Sequence, residues 1–260
     1  FIGIDFLDDK IRDKQDVISA TNIPIMGVIP NSKHIENNKI VFNQPKSALA
    51  EAFRTIRTNL TFFQKSSEPF VIMVTSTVAS EGKTFCAINL AASLAASGKK
   101  TILLGFDLRK PQIHNYLNVE NTSGVSNYLS GKVELKDIIV RSNEPNLSII
   151  SSGPIPPNPA ELITTTKTTD LIDALKKEFD YIVLDTPPIG LVADALLLQR
   201  QSDLNLYIVR QGYSKREFLN QANDLYSSAK LVNDVDKGGS YNYGYYEEEK
   251  KVKKKFLKFS

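Results

Sequence analysis

Cysteine, tryptophan and long hydrophobic runs are scarce in this 260-residue sequence. Cys86 is the single cysteine, which excludes an intrachain disulfide and a cysteine-based zinc site. The longest uncharged apolar stretch, residues 85–98, is too short to cross a bilayer. Apolar residues nevertheless make up 42% of the chain and charged residues 23%, as in soluble proteins with a hydrophobic core. Disorder of the whole chain and fibrous architectures are therefore excluded.

Positive charge is concentrated at the C-terminal end of the chain. The formal net charge is +3, and the last twenty residues carry six lysines against three glutamates, so the preceding residues are balanced. A general nucleic-acid-binding protein would spread Lys and Arg over a folded face, so no nucleic-acid partner is expected. Because position 1 is Phe and not Met, we expect the sequence to be a fragment of a longer protein.

From about residue 70, short β-branched runs alternate with amphipathic segments of helical length. Strands are predicted at residues 70–75, 100–104, 147–150, 181–185 and 204–209, and helices at residues 84–97, 168–179, 193–200 and 215–230. This alternation predicts an α/β fold with a doubly wound, mostly parallel sheet. Ligands of such sheets bind at the carboxyl ends of the strands.

The composition divides the chain into three segments. Residues 1–44 form a lead-in, and the prolines of its IPIMGVIP stretch (residues 23–30) predict turns and extended chain. Residues 45–235 form the main domain, which begins with a helix whose apolar residues recur at helical spacing. The apolar pattern fails after Lys230, where we expect a flexible end, and residues 236–260 are predicted to be a flexible tail rich in Tyr and Lys.

The stretch VTSTVASEGKTF (residues 74–85) has the context of a P-loop, in which a buried strand enters a short loop and a Gly-Lys-Thr triplet opens a helix. In such a loop Lys83 bridges the β- and γ-phosphates of ATP and the Thr84 hydroxyl binds Mg²⁺. The first glycine of the usual pattern is replaced by Thr77. The alternative is a structural helix N-terminus with an incidental lysine. The predicted phosphate-binding residues are Val78, Ala79, Ser80, Glu81, Gly82, Lys83, Thr84 and Phe85.

Two carboxylates follow predicted strands. Asp107 lies in GFDLRKP, and Asp185 ends YIVLD directly before TPP. A charge at the end of a buried strand is costly unless a cation or water shares it, so we expect both carboxylates to face a bound Mg²⁺. The alternatives are a helix or turn cap and, for Asp107, a local ion pair. The sequence thus predicts Lys83, Asp107 and Asp185 as catalytic residues and Thr84, Asp107 and Asp185 as metal ligands.

The motifs GFDLRKP, SGPIPPNPAELI and LDTPP, together with the P-loop, resemble the cytoplasmic kinase domain of the bacterial tyrosine kinases. Proteins of this family accompany polysaccharide co-polymerases, which govern the chain length of capsules and exopolysaccharides. The resemblance covers essentially the whole chain, including IPIMGVIP. It implies a P-loop NTPase fold of the partition-ATPase-like superfamily and transfer of the ATP γ-phosphate to tyrosine around one Mg²⁺. It further implies a place at the cytoplasmic face of the bacterial plasma membrane, a co-polymerase region of the same protein, and a counteracting tyrosine phosphatase.

Two departures from related patterns bear on the mechanism. The family's Asp-x-Asp motif is Gly105, Phe106, Asp107 here, so Asp107 and Asp185 must share metal binding and any assistance to the attacking tyrosine. Partition ATPases carry a second lysine early in the P-loop, which this chain lacks. Two alternatives to the kinase stay open: an ATPase that switches assembly, and a catalytically weak scaffold gated by nucleotide.

Four of the ten tyrosines lie within six residues of an unpatterned, glycine-bearing segment. Because this segment offers no apolar period in which the rings could be buried, we expect phosphate acceptors on a flexible tether. The alternative is a low-complexity polar tail. In the resembling family this cluster is autophosphorylated in trans. The predicted acceptors are Tyr241, Tyr243, Tyr245 and Tyr246.

The predicted helix after Pro45 carries Glu51, Arg54 and Arg57 three residues apart. On spacing alone these residues form solvated ion pairs along one face. The pattern also resembles the family's oligomerisation helix, which closes a ring of subunits. Arg210, at the end of a predicted strand, either contacts the nucleotide base or lies at the surface.

Overall fold

The computed structural model describes residues 9–31, 40–64, 68–190, 194–219 and 229–235. An eight-stranded sheet forms its centre. The strands are β1 (Ile25–Pro30), β2 (Phe70–Ser76), β3 (Thr101–Gly105), β4 (Val140–Arg141), β5 (Leu147–Ile150), β6 (Tyr181–Asp185), β7 (Leu204–Arg210) and β8 (Ala229–Val235). Their spatial order is β1-β8-β7-β2-β6-β3-β5-β4, and every pair is parallel except β4 with β5. The predicted doubly wound, mostly parallel sheet is confirmed.

Nine α-helices have both of their ends in the described ranges. They are α1 (Lys14–Ala20), α2 (Ile40–Asn43), α3 (Ala48–Leu60), α4 (Lys83–Ala95), α5 (Ile113–Leu117), α6 (Val125–Leu129), α7 (Pro159–Ile163), α8 (Thr166–Lys176) and α9 (Asp194–Gln199). A short 3-10 helix covers Leu135–Asp137. Within the described part of the chain, no helix combines the length and the hydropathy needed to cross a membrane.

Two hydrophobic cores cover the two faces of the sheet. Alternate residues of β2 divide between them, since Ile72 and Val74 pack in the core with α3 and α4, whereas Val71 and Met73 pack in the core with α8. The same alternation continues in β6. Because a strand buried on both faces needs apolar side chains at every position, the central strands are continuous apolar runs.

All five predicted strands are present, with ends that differ by at most one residue from those predicted. The helix predicted after Pro45 is α3, which begins after Ser47, whose hydroxyl accepts the N–H of Ala50 at 3.1 Å. The apolar positions of α3, at helical spacing, are buried against the sheet and α4: Leu49, Phe53, Ile56 and Leu60. The prediction of residues 168–179 started two residues late and ended three residues late relative to α8.

Two segments predicted without regular structure belong to the sheet, and of the two predictions only that of a flexible end after Lys230 was wrong. IPIMGVIP, expected to form turns and extended chain, contains β1, which pairs in parallel with β8. β8 itself occupies residues expected to be flexible, and β1 and β7 flank it on both sides. Backbone hydrogen bonds to two neighbours stabilise a strand whose sequence, AKLVNDV, shows little apolar pattern. The lead-in therefore supplies one strand of the sheet.

The helix predicted over residues 215–230 was also too long. Helical backbone begins at Arg216, while Ala229 and Lys230 already belong to β8. The short helices α1, α2, α5, α6 and α7 were not predicted, because segments of four to seven residues hold too few turns to show a helical period.

Candidate functional site

A tight loop joins β2 to α4 at the carboxyl edge of the sheet. β2 is buried along its whole length, and α4 begins directly at Lys83. Gly82 precedes the helix with φ of +94°, a left-handed conformation that a residue without Cβ adopts at little cost. Ser80 has φ of +69° and adopts the left-handed region although it is not a glycine. The loop and the first turn of α4 thus form the strand–loop–helix arrangement predicted for a P-loop.

Lys83 lies between the two predicted carboxylates. Its Nζ is 2.9 Å from Oδ2 of Asp107 and 3.2 Å from Oδ1 of Asp185. The hydroxyl of Thr84 donates to Oδ2 of Asp185 at 2.8 Å. All four residues are buried. The structure therefore brings together Lys83, Thr84, Asp107 and Asp185, here called the charged cluster, from α4 and the ends of β3 and β6.

The pKa values of Lys83 and Asp185 depend on each other and on the burial of the cluster. Burial alone would lower the pKa of Lys83, but the adjacent Asp185 and Asp107 outweigh it, so the pKa is raised and the ammonium stays protonated. Burial raises the pKa of Asp185 above its ordinary value, although Lys83 and the Thr84 hydroxyl oppose this effect. A cation beside Asp185 therefore favours the ionised form of this buried carboxylate.

Asp107 is at once a local cap and a partner of Lys83. Its Oδ1 accepts the backbone N–H of Lys110 at 2.9 Å and that of Arg109 at 3.3 Å. The Arg109 guanidinium in turn binds both oxygens of the buried Asp194, at 2.7 and 3.1 Å. Sequence reasoning missed this last pair, although a charged residue at the start of the apolar segment DALLL was a signal that Asp194 has a partner.

The oxygen atoms of the charged cluster suit a magnesium ion whose remaining ligands are water and substrate phosphates. In the described residues no group of three or more His, Cys, Asp and Glu side chains is arranged to hold a metal. Mg²⁺ at phosphate-transfer sites is bound by one or two carboxylates together with water and substrate phosphates. The hydroxyl of Thr84 and the carboxylates of Asp107 and Asp185 supply oxygen donors of this kind. The N-terminus of α4 beside them offers free N–H groups to phosphate.

Glu81 has a role in the loop that sequence reasoning did not foresee. Its side chain is 1% exposed, and its Oε2 accepts the backbone N–H groups of Thr77 at 2.7 Å and Val78 at 2.9 Å. Its Oε1 accepts the hydroxyl of Ser214. Burial raises the pKa of Glu81, and these donors oppose the shift. The N–H of Val78, predicted to bind phosphate, is therefore paired inside the loop.

Arg210 lies at the surface, as one of its two predicted positions has it, and its side chain also contacts the loop after β2. Its guanidinium donates to the carbonyl oxygen of Ser80 at 3.0 Å, so it contacts the P-loop backbone. Tyr213, three residues later, donates its hydroxyl to the carbonyl of Ala79 at 3.1 Å. Spacing along the sequence could not reveal these contacts, because they depend on the adjacency of β2 and β7 in the sheet.

Gly105 stands where the resembling family has the first carboxylate of its Asp-x-Asp motif, and the structure leaves no space for a side chain there. A Cβ on Gly105 would overlap Oγ of Ser152 and lie 2.9 Å from the backbone nitrogen of Ser152. The strand β5 and the residues after it thus fill the position of the missing carboxylate.

The residues predicted for oligomerisation have partners within the chain. Arg54 pairs with Glu51 and also donates to the carbonyl of Pro45. Arg57 donates to the carbonyl of Ser93 at 2.8 Å and so ties α3 to α4. The predicted phosphate acceptors, Tyr241, Tyr243, Tyr245 and Tyr246, lie outside the described residues.

Comparison with known proteins is consistent with this geometry. The family profile of an AAA domain matches residues 70–215. Tyrosine-protein kinase YwqD of Bacillus subtilis is 35% identical over 218 residues, which are 82% of this chain and 92% of the relative. A protein of Klebsiella pneumoniae named as a putative tyrosine-protein kinase in the cps region is 37% identical over 166 residues, 64% of this chain and 23% of the relative.

Solved structures agree in fold. The kinase domain of the Escherichia coli tyrosine kinase ETK superposes with a TM-score of 0.81 at 28% identity, over 90% of this chain and 99% of that one. The septum site-determining protein MinD of Pyrococcus horikoshii shares the fold at 20% identity, with a TM-score of 0.52 over 66% of this chain and 71% of its own. The fold is therefore that of the P-loop ATPases related to partition proteins.

Proposed function

The chain belongs to the bacterial tyrosine-kinase family and is a protein-tyrosine kinase, and from this premise we propose that it phosphorylates its own C-terminal tyrosines in a neighbouring subunit. The observation that carries the proposal is Lys83, held between Asp107 and Asp185 beside the Thr84 hydroxyl at the mouth of a P-loop. The proposed cofactors are ATP and Mg²⁺. The proposed acceptors are Tyr241, Tyr243, Tyr245 and Tyr246.

Lys83 changes partners when nucleotide binds. Without ligand, its ammonium neutralises Asp107 and Asp185. Mg²⁺, when bound, supplies positive charge to the phosphate oxygens and to the carboxylates. Thr84, Asp107 and Asp185 would hold it, and Lys83 is then released to the phosphates. In the absence of ligand, the ammonium of Lys83 therefore balances the carboxylate charge that Mg²⁺ would balance when bound.

The tyrosine hydroxyl needs orientation more than it needs a strong base. Phosphoryl transfer has a loose transition state and depends mostly on positioning and charge stabilisation. Gly105 provides no carboxylate, so Asp107 and Asp185 are the acidic groups of the charged cluster that can assist the hydroxyl. This arrangement supports transfer that is slower than in relatives with a complete Asp-x-Asp motif.

Phosphate mapping tests the proposed function. The purified chain is incubated with MgATP, and phosphopeptides are identified by mass spectrometry beside the variant Lys83→Met. We expect label in residues 241–246 that disappears with Lys83→Met and persists in Lys99→Met, which removes an exposed lysine. ATP turnover without tyrosine label would favour the ATPase switch, and neither turnover nor label would favour the scaffold.

The face of α3 is the proposed contact between subunits of a ring. Glu51 is well exposed, with 63% of its side chain accessible, and Phe62 follows the helix with 79% of its surface exposed. We expect the double variant Arg54→Ala, Arg57→Ala to be smaller than the wild type by light scattering. Thermal unfolding of the same sample reports the loss of the Arg57 contact to Ser93 separately. An unchanged particle mass would contradict the assignment.

The proposed biological role is control of capsular or exopolysaccharide synthesis and export. It is supported by the family resemblance and by the Klebsiella pneumoniae relative, whose name places it in a cps region. The proposed partners are the co-polymerase region of the same protein and a counteracting tyrosine phosphatase, and the proposed place is the cytoplasmic face of the membrane. Lys83→Met in the source organism should change the polysaccharide length distribution on gels, and an unchanged distribution would count against the role.

A further inference from the structure

The P-loop is held from the side by the turn that follows β7. β2 and β7 are adjacent and parallel, with Ser76 opposite Ile208, so the chain leaves both strands at the same edge of the sheet. The loop after β2 and the turn after β7 therefore lie next to each other. The last residue of β7 and two residues of that turn contact the loop, and they are here called the β7 bracket: Arg210, Tyr213 and Ser214.

Two members of the β7 bracket fix carbonyl groups of the loop. The Arg210 guanidinium donates to the carbonyl of Ser80 at 3.0 Å, and the Tyr213 hydroxyl donates to the carbonyl of Ala79 at 3.1 Å. In a planar trans peptide the carbonyl and the following N–H point in opposite directions. Fixing these two carbonyls therefore orients the N–H groups of Ser80 and Glu81, which belong to the segment predicted to bind phosphate.

Ser214 connects the β7 bracket to the beginning of the loop. Its hydroxyl accepts the N–H of Arg210 at 2.8 Å and donates to Oε1 of Glu81. The other oxygen of Glu81 accepts the N–H groups of Thr77 and Val78. The bracket thus restrains the loop at its start through Glu81 and at its middle through the two carbonyls.

The turn that carries the β7 bracket is itself fixed. The N–H of Ile11 donates to the carbonyl of Ser214 at 2.8 Å, and the N–H of Gly212 donates to the carbonyl of Ile11 at 2.8 Å. Ile11 is fully buried. An ion pair of 2.7 Å joins Lys215 to Asp9 next to these bonds. The bracket therefore acts from a rigid support.

The backbone conformation of Ser80 is the reason that the loop needs this support. Its φ of +69° is unfavourable for a residue with a Cβ. The other non-glycine residues with positive φ in the described ranges are Asn118 and Asn146, of a residue type that tolerates this region. A glycine would adopt it freely. A serine in this conformation persists where surrounding contacts determine it.

We propose that the β7 bracket consists of positioning residues that keep Ser80 in the left-handed conformation, which a glycine would adopt without support. By doing so, they hold the P-loop in the conformation that binds phosphate. The proposal rests on the proposed binding of ATP at this loop. It extends that function to residues that do not touch the nucleotide, and it assigns Arg210 a different task from base recognition.

Nucleotide affinity is the first test. Tyr213→Phe removes the hydroxyl that reaches Ala79, and Arg210→Met removes the donor to Ser80, while Tyr116→Phe is a matched control away from the loop. We expect the Kd of Mg-ADP, from calorimetry, and the KM for ATP to rise roughly two- to tenfold in the two bracket variants, as for loss of one hydrogen bond. The kcat should change less than twofold. Wild-type Kd values in both variants would overturn the proposal.

Rescue by glycine is the second test, because a purely structural role of Tyr213 would not produce it. Tyr213→Phe is made in the wild type and in Ser80→Gly, and the two effects on the Kd of Mg-ADP are compared. We expect the rise to shrink to less than about twofold in Ser80→Gly, since glycine adopts the left-handed region without the bracket. An equal rise in both backgrounds would refute the role assigned to Ser80.

Hydrogen exchange separates this proposal from the function on which it rests. In the nucleotide-free protein, amides of residues 77–82 should exchange faster in Tyr213→Phe than in the wild type, and Tyr116→Phe should leave them unchanged. Unchanged exchange in Tyr213→Phe would overturn the β7 bracket. A wild type that binds no Mg-ADP would instead contradict the proposed function, and the exchange rates would still decide the bracket.

Discussion

The carboxyl edge of the sheet and the face of α3 both carry charged residues, but in opposite environments. At the edge, Lys83, Asp107 and Asp185 are buried and make their ion pairs away from water. On α3, Glu51 and Arg54 pair at a well-hydrated surface. Burying an ion costs several kcal/mol, whereas an exposed pair contributes about 0–1 kcal/mol. We therefore interpret the buried charge at the edge as the mark of a proposed binding site, whereas the exposed charge on α3 contributes little to stability on its own.

The largest effect is expected at Lys83. Lys83→Met leaves Asp107 and Asp185 buried without their cation, so the free energy of unfolding should fall by about 3–5 kcal/mol, as for a broken buried pair. Urea unfolding followed by circular dichroism measures the change. Lys99→Met, on an exposed lysine, should unfold like the wild type. Equal stability of Lys83→Met and Lys99→Met would remove the distinction between buried and exposed charge.

Gly105 tests how tightly the same edge is packed. Gly105→Ala adds a Cβ against the side chain and backbone of Ser152, and overpacking of this kind costs about 1–3 kcal/mol. The second change Ser152→Gly removes the overlapping hydroxyl but not the nitrogen at 2.9 Å, so it should recover only part of the loss. Thermal unfolding of both variants checks the order. A fully stable Gly105→Ala would show that the edge has room for the family's carboxylate.

Glu81 predicts a pH dependence with a defined sign. Burial raises its pKa in the folded protein above the ordinary 4.5, so the folded state binds the proton more tightly than the unfolded state. Its contribution to stability is therefore complete below pH 4.5 and is lost as the pH rises through the folded pKa. Because Glu81→Gln lacks this titration, its unfolding free energy minus that of the wild type should increase as the pH rises above 4.5. A constant difference between pH 4 and pH 7 would contradict the assignment.

The smallest effect is expected on α3. Arg54→Ala removes an exposed pair with Glu51, and the unfolding free energy should change by less than about 1 kcal/mol. Arg57→Ala should cost more, about 1 kcal/mol, because it breaks a hydrogen bond to the carbonyl of Ser93 between two helices. Denaturation of both variants at low protein concentration, where the proposed ring would dissociate, measures these values. A loss at Arg54 as large as at Lys83 would erase the contrast between the two regions.

The central strands and the charged cluster could be predicted because local sequence determines them. An apolar run that enters Asp185 must end at the sheet edge, and parallel strands bring such ends together with Lys83 and Asp107. β8 could not be predicted, since its hydrogen bonds to β1 and β7 connect parts of the chain that are far apart in sequence.

The contacts around the P-loop were hidden for the same reason. Glu81 turns inward because Ser214 and two loop amides meet it there, and Gly105 is needed because Ser152 packs against it. Each of these facts depends on the order of strands in space. Sequence spacing can identify residues that carry chemistry, but it does not show the residues that hold them in place.

Mixed labelling tests the central claim most directly. One chain keeps the charged cluster and has Phe at all four tail tyrosines, and the other carries Lys83→Met with an intact tail. After incubation of the mixture with MgATP, phosphopeptide mapping should find label on residues 241–246 of the Lys83→Met chain and none when either chain is incubated alone. Absence of label from the Lys83→Met chain in the mixture would contradict transfer between subunits through the Lys83 site.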